Sequence, residues 1–150
     1  MAATREAPIL VRDAVESDHV LAGTLVSPVT ARGRISLAML QEGRGRLWVA
    51  ITEDQGVEQI VGLLLADTQP DAETGELVGY IQELLVHPAY RRRGVAMHLL
   101  DAAEQFYFAE MNLGAITLVT TPENEGALRL YRSRGYGMDQ VRLRKRRMEG

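Results

Sequence analysis

A long amphipathic helix is predicted between two β-rich segments, and this arrangement restricts the folds open to the chain. Leu77–Val86 is apolar and rich in β-forming residues, and Ala115–Thr120 has the same character. Between them, from Val95 to Met111, apolar residues recur at intervals of three and four. A strand–helix–strand passage of this length is a crossover that pairs the two strands in parallel. The sequence therefore predicts a sheet with at least one parallel pair.

The remaining segments predict an α+β fold. Two further β-rich segments precede Leu77–Val86, and turn residues separate the three, which predicts an antiparallel meander. The other predicted elements are a strand over Ile9–Arg12, a helix entered at Ser17 and Asp18, a helix over Thr30–Gln41, the meander strands Leu47–Ile51 and Gln59–Ala66, a helix over Asn124–Arg134 and a strand over Val141–Arg147. The order βααβββαβαβ indicates one mixed sheet flanked by helices, and an extra C-terminal strand is left open. We expect residues 1–150 to form a single domain, because one core is usual at this length.

Composition and charge exclude several classes of protein. The 150-residue chain has 17 Lys and Arg against 20 Asp and Glu, a formal net charge of -3, and no cysteine. Disulfides, thiolate metal sites and cysteine nucleophiles are therefore excluded, and the acidic balance does not favour a nucleic-acid partner. The longest apolar run, Ile60–Ala66, is about a third of the ~20 residues that a membrane helix needs. These features predict a cytoplasmic protein with no membrane partner.

Motifs that would indicate other chemistries are missing. The chain contains neither G-x-x-x-x-G-K-[ST] nor G-x-G-x-x-G, the two common phosphate-binding loops. It also lacks H-E-x-x-H and G-x-S-x-G, and its three histidines, His19, His87 and His98, do not have the spacing of metal ligands. We therefore expect no metal ion and no serine nucleophile.

The turn between Leu77–Val86 and the long helix has the character of an anion site. It contains Arg91, Arg92, Arg93 and Gly94, and the helix follows directly. The first N–H groups of a helix have no partner within it, and the helix dipole places partial positive charge there. A diphosphate is the expected ligand of such a junction. The alternative is that Gly94 only permits a tight turn and that the arginines are solvated.

The same turn carries a resemblance to a known family. Arg91–Ala96 resembles the Q/R-x-x-G-x-G/A motif with which the GCN5-related N-acetyltransferase (GNAT) family binds the pyrophosphate of acyl-CoA, and Leu84, Val86 and Pro88 resemble the strand end before it. Two further segments are similar to the family: Val11–Ala14 with Ser17 and Asp18, and Asn124, Ala127, Leu130 and Tyr131 followed by Arg134, Gly135 and Tyr136. The resemblance runs from about Ile9 to Arg147.

The resemblance implies a GNAT-like domain with a splayed central sheet and acetyl-CoA as cosubstrate. In this family pantetheine lies in the opening between two strands, here Leu77–Val86 and Ala115–Thr120. The implied cofactor contacts are the main chain of Leu84, Leu85 and Val86, the side chains of Arg91, Arg92 and Arg93, and the backbone amides of Arg92, Arg93, Gly94, Val95, Ala96 and Met97. Asn124 is expected to cap its helix, and the resemblance implies that it also touches the cofactor.

Two residues are candidates for proton transfer. The resemblance implies that Tyr131 protonates the leaving thiolate, although its helical position also fits a tyrosine of the core. Glu83 is the only carboxylate on the central strand near the expected acetyl group, and it is the candidate base or water-positioning residue. Strand alternation places Glu83 with Ile81 and Leu85, and a bulge would change its direction. Otherwise Glu83 is a partly solvated strand residue.

The resulting expectation is an N-acetyltransferase in which an amine attacks acetyl-CoA directly in a ternary complex. The alternatives are a non-catalytic acyl-CoA-binding or interaction module of the same fold, and a nucleic-acid-associated protein that uses the basic residues of Arg142–Arg147. For that segment we favour a solvated edge strand with Val141 and Leu143 facing inward. The sequence does not identify the amine acceptor, and a homodimer is an open option because similar proteins are often dimers.

Overall fold

The structure, a computed structural model, describes residues 8–15, 18 and 45–148. Within these ranges five strands form one sheet in the order β1-β2-β3-β4-β5. Their bounds are β1 Leu10–Asp13, β2 Arg46–Asp54, β3 Val57–Pro70, β4 Leu77–Val86 and β5 Ile116–Leu118. The two helices predicted before residue 42 lie outside the described residues, except that Asp18 is helical.

The predicted meander and crossover are confirmed. Strands β2, β3 and β4 pair antiparallel in succession, and β5 pairs parallel to β4. Gln55 and Gly56 form the two-residue turn between β2 and β3, with φ of 50° and 77°. Positive φ at both positions is the geometry of a type I′ turn, whose twist matches that of the strands it joins.

The crossover helix covers one face of the sheet. Helix α1, Val95–Glu104, continues as a π-helical segment, Gln105–Glu110. The Trp48 ring makes edge contacts with Phe106 and Tyr107, at centroid distances of 5.6 and 6.0 Å. Two glycines, Gly62 and Gly79, let this helix approach the sheet closely, because a Cβ on either would fall 2.8 Å from a side chain of the helix. The predicted helix Val95–Met111 is thus present, with its last part wound as a π-helix.

The opposite face of the sheet carries a second apolar cluster. Five buried side chains from β2 and β3 form it, namely Leu47, Val49, Ile51, Leu63 and Leu65. Leu85 of β4 packs against this cluster. Apolar residues thus lie on both faces of β2 and β3, as their nearly continuous apolar sequences require.

The chain divides after Leu118 into two compact units. In the second unit, helix α2 spans Glu125–Ser133, close to the predicted Asn124–Arg134. Asn124 is its N-cap, as expected, because its side chain accepts a hydrogen bond from the Ala127 N–H at 3.3 Å. Gly135 follows the helix with a φ of 91°.

The strand predicted over Val141–Arg147 is wrong, and so is the extra C-terminal strand within the described chain. Residues 137–148 have no regular secondary structure, and Val141 and Leu143, expected to face inward, are 72% and 90% exposed. Alternation of apolar and basic residues reports only that a segment is amphipathic. A strand also needs a neighbouring strand to satisfy its backbone groups, and the sequence does not contain that information.

Candidate active site

The sheet opens where β4 continues beyond β5. The last pair between these strands is Ile81 with Leu118, whereas β4 runs on to Val86. On its other side β4 stays paired to β3 as far as Val86, which lies opposite Gly62. The opening therefore lies along Gln82–Val86, which includes the Leu84–Val86 segment expected to contact pantetheine.

A β-bulge in β4 sets the direction of Glu83. Leu65 pairs with Glu83 and Ala66 with Ile81, so Gln82 is an extra residue on β4. Cross-strand partners share a face, and Leu65 belongs to the apolar cluster opposite α1. The bulge therefore turns Glu83 away from the face of Ile81, so the predicted alternation is wrong for Ile81, whereas Glu83 shares the face of Leu85 as predicted. The bulge places Glu83 on the same face as Gln82, beside the opening.

The loop after β4 is held in one conformation by local contacts. Pro88–Tyr90 forms a 3₁₀ turn, and the Nδ1 atom of His87 caps it by accepting a hydrogen bond from the Ala89 N–H at 3.1 Å. The Tyr90 ring lies between His87, at a centroid distance of 5.8 Å, and the guanidinium of Arg93, at 5.1 Å. These contacts fix the loop immediately before α1.

Backbone geometry at Arg91–Gly94 favours an anion. The sign of φ alternates along the loop: φ is −64° at Arg91, 65° at Arg92 and 75° at Gly94, and it is not positive at Arg93. Gly94, with φ of 75° and ψ of 13°, is the left-handed N-cap of α1, where the N–H groups of the first helical turn form an anion site. A left-handed φ at a non-glycine residue costs about 1–3 kcal/mol and is typical of functional loops. Arg92 therefore marks this loop as a candidate binding site.

The start of α1 continues the same surface. Hydrogen bonding within the helix begins with the His98 N–H, which donates to the Gly94 carbonyl at 3.1 Å, so the amides of Gly94, Val95 and Ala96 precede the bonded turns. The first turn has no acidic residue, so no side-chain charge there offsets the helix dipole. A Cβ at Gly94 would meet no atom within 4 Å. This leaves room for a ligand beside the backbone.

Sequence reasoning missed one polar group of β3. Asp67 is 8% exposed and accepts hydrogen bonds from the amide nitrogens of Gln82, at 3.0 Å, and Gln69, at 3.4 Å. It pairs with Tyr80 across the β3–β4 ladder. The sequence signal for this group is that Asp67, a carboxylate, directly follows the apolar run Ile60–Ala66.

The second unit contains the remaining candidates. Tyr131 is half-buried on α2, and its ring makes an edge contact with Tyr136 at a centroid distance of 5.9 Å. Asn124 lies one residue before the same helix. Glu83, Leu84–Val86 and Arg91–Met97 thus share the first unit, while Tyr131 and Asn124 belong to the second.

Two other kinds of feature are absent from the described part of the chain, a metal-ligand cluster and a membrane-spanning helix. No group of three or more His, Cys, Asp or Glu side chains there is arranged to hold a metal ion. None of the helices in these ranges has the length and apolar character needed to cross a membrane.

The mixed sheet of this chain thus opens beside the N-terminus of its crossover helix. The chain belongs to the acetyltransferase (GNAT) family, whose model matches residues 12–136. A search of the curated proteins found no match.

Solved acetyltransferases share the fold. An aminoglycoside acetyltransferase from an uncultured soil metagenomic sample matches with a TM-score of 0.72 and 19% identity, over 94% of this chain and 97% of its own. AAC(6')-Iy, in complex with the bisubstrate analogue CoA-S-monomethyl-acetylneamine, gives a TM-score of 0.70 and 20% identity, over 95% and 100%. The ribosomal-protein-alanine N-acetyltransferase from Brucella melitensis biovar Abortus 2308 gives 0.72 and 19%, over 93% and 99%.

Proposed function

We propose that this protein transfers the acetyl group of acetyl-CoA to a primary amine by direct attack in a ternary complex. The observation that carries the proposal is the opening of β4 from β5 next to the first-turn amides at the start of α1. A thioester with a long polar arm and a diphosphate fits these two features in order. We also propose a single domain over residues 1–150 and a cytoplasmic location, the latter because the chain has no cysteine.

Acetyl-CoA binding depends mainly on the backbone. The diphosphate lies against the amides from Arg92 to Met97, and pantetheine follows the main chain of Leu84–Val86. Arg91 and Arg92 are exposed beside this path, so their side chains add charge-assisted contacts to phosphate. The Arg93 side chain is directed toward the Tyr90 ring, and its main contribution is to order the loop.

The acceptor amine must lose a proton. An alkylammonium with a pKa of about 10.4 lies about 3.4 units above pH 7, so presenting it neutral costs about 4.6 kcal/mol. Glu83 is the candidate base, directly or through a water molecule, and its position on β4 beyond the last pair with β5 supports this role. The neutral amine nitrogen, whose first proton has gone to Glu83 or to its water, then forms a bond to the thioester carbon; the carbon–sulfur bond breaks, and the second proton of the nitrogen passes to solvent water.

The leaving thiolate requires less assistance. A thiol with a pKa near 8.5 is already a fair leaving group, so we expect alignment of the substrates and backbone donors to the thioester oxygen to dominate catalysis. Tyr131 is the proposed donor of the proton to sulfur. Asn124 caps α2, and its proposed second role is a contact with the cofactor.

Replacing Gly94 with valine tests the cofactor site. The branched side chain would stand where the diphosphate approaches, and we expect the affinity for acetyl-CoA, measured by calorimetry, to fall at least tenfold. Gly75→Val is the matched control, because Gly75 has nearly the same φ, 73° against 75°, and equally open surroundings, but lies in the β3–β4 turn. Both variants carry similar backbone strain, so a comparable loss of stability is expected in each.

Three outcomes of the binding and CoA-release measurements distinguish the alternatives. If Gly94→Val stays folded and binds acetyl-CoA as the wild type does, the proposed diphosphate site is wrong. If the wild type binds acetyl-CoA but releases no CoA with any amine of a broad panel, the chain is a non-catalytic acyl-CoA-binding module. Release of CoA that depends on an added amine, with formation of its N-acetyl product, supports the transferase.

A further inference from the structure

Asp67 is a buried carboxylate that the proposed transfer does not use. It lies on β3, and its two recorded hydrogen-bond donors, Gln82 and Gln69, are neutral amides. Asp67 forms no ion pair with any of the residues that the structure describes. A carboxylate has about four acceptor positions, so two amide donors leave capacity for a further donor. Burying a charge with only neutral partners is unfavourable, and a cation at this place would offset that cost.

The position of Asp67 places it beside the opening of the sheet. Its partner Gln82 is the bulged residue of β4 and the first residue beyond the last pair with β5. Glu83 follows and lies opposite Leu65, two residues from Asp67 along β3. Leu65 and Asp67 share a face because strand residues alternate. Asp67 and the candidate base are therefore diagonal neighbours on one face, at a typical separation of about 7–8 Å.

We infer that Asp67 binds a second, protonated amine of the acceptor, so that the substrate class is a diamine, a polyamine or an aminosugar with several amines. This inference rests on the proposed function. The amine at Asp67 is not the one that reacts, because a neighbouring carboxylate stabilises the ammonium and keeps its lone pair protonated. The reacting amine is a different group of the same molecule, a few bonds away and next to Glu83. Gln82 positions the Asp67 carboxylate through its amide.

Paired substrates test this inference in the wild type. The rate of CoA release, followed with a thiol reagent, is measured for 1,4-diaminobutane and for 4-amino-1-butanol, which replaces one ammonium by a neutral hydroxyl. The hydroxyl keeps a hydrogen-bond donor but loses the positive charge, so we expect kcat/KM to be at least about tenfold higher for the diamine. Equal values for the two substrates, or no transfer to either, overturn the inference whether or not any variant folds.

Asp67→Asn then tests the residue itself. The substitution keeps the shape and removes the charge, and we expect the preference for the diamine to collapse to about twofold, mainly through a higher KM for the diamine. Asp54→Asn, at the exposed end of β2, is the control and should keep the wild-type preference. If Asp67→Asn lowers both rates in proportion, Asp67 has only a structural role and the inference is wrong. Calorimetry of acetyl-CoA binding to the wild type separates the two kinds of failure. If the proposed function fails, acetyl-CoA does not bind; if only this inference fails, acetyl-CoA still binds.

Discussion

Replacing Gly62 with alanine would change the position of the helix that carries the candidate cofactor site. A Cβ at Gly62 would lie 2.8 Å from Val95 Cγ1, 3.0 Å from the Leu85 carbonyl oxygen and 3.2 Å from Leu99 Cδ1. Val95 and Leu99 are buried, so the start of α1 must move away from the sheet. Adding a methyl group to a packed core costs about 1–3 kcal/mol. Restricting the unfolded chain offsets about 0.5–1 kcal/mol of this, so we expect a net loss of about 1–2 kcal/mol.

A double-mutant cycle identifies the clash as the cause. Unfolding in urea gives the free energy of unfolding for Gly62→Ala, Val95→Ala and the double variant. Val95→Ala alone removes two buried methyl groups and should cost about 2 kcal/mol or more. In the double variant the nearest clashing atom, Val95 Cγ1, is absent. The losses of unfolding free energy in the two single variants, added together, should therefore exceed the loss in the double variant by at least about 1 kcal/mol.

The same variants connect packing with function. We expect Gly62→Ala to weaken acetyl-CoA binding severalfold, because the amides at the start of α1 move with Val95. Gly114→Ala is the control, since a Cβ there would meet no atom within 4 Å, and it should change stability by less than about 0.5 kcal/mol. Additive losses in the cycle, or stability in Gly62→Ala equal to that of the control, would refute the reasoning.

Three further predictions concern other parts of the chain. Tyr131→Phe keeps the ring, so turnover should fall roughly 10- to 1000-fold with acetyl-CoA affinity nearly unchanged; turnover at the wild-type level would make Tyr131 a packing residue. Burial first, and then the charge of Asp67, raise the pKa of Tyr107 to about 12. The folded state thus retains this proton better than the unfolded state, so the free energy of unfolding falls by about 2 kcal/mol as pH rises from about 10 to 12. Urea unfolding should show that Tyr107→Phe lacks this loss. An identical pH dependence in both proteins would contradict the prediction. Neutralising Arg144, Lys145 and Arg146 together should leave acetyl-CoA affinity within about twofold, and a larger loss by calorimetry would assign this segment to the site.

Elements that depend on local pattern were predictable from the sequence. The bounds of β4 agree with the prediction, and Asn124 caps α2 as expected. The crossover follows from connection length, because a long helix between two strands permits only parallel pairing. The loop before α1 was singled out because it places arginines and a glycine at a helix start, and its role as an anion site stays a prediction.

Features that depend on pairing were not predictable. The bulge at Gln82 arises from the register of β3 against β4, and no local signal in β4 specifies it. For this reason simple alternation wrongly grouped Glu83 with Ile81, although its grouping with Leu85 agrees with the register. The left-handed φ of Arg92 is also a property of the folded loop, since arginine has no preference for that region. The strand expected over Val141–Arg147 failed for the same reason, because amphipathic alternation does not supply a partner.

The two halves of the candidate site depend on sequence in different ways. The proposed cofactor half consists mostly of backbone groups along Leu84–Val86 and Arg91–Met97, and a backbone site accepts many side chains provided that the φ values and the glycine at Gly94 are kept. This is compatible with a shared fold at 18–21% identity to the solved structures. The proposed acceptor half depends on side chains, namely Asp67 and Glu83, and the direction of Glu83 follows from the bulge in β4. The identity of the acceptor must therefore be determined from this chain's own carboxylates, and the comparison of a diamine with its amino alcohol measures the contribution of the second charge directly.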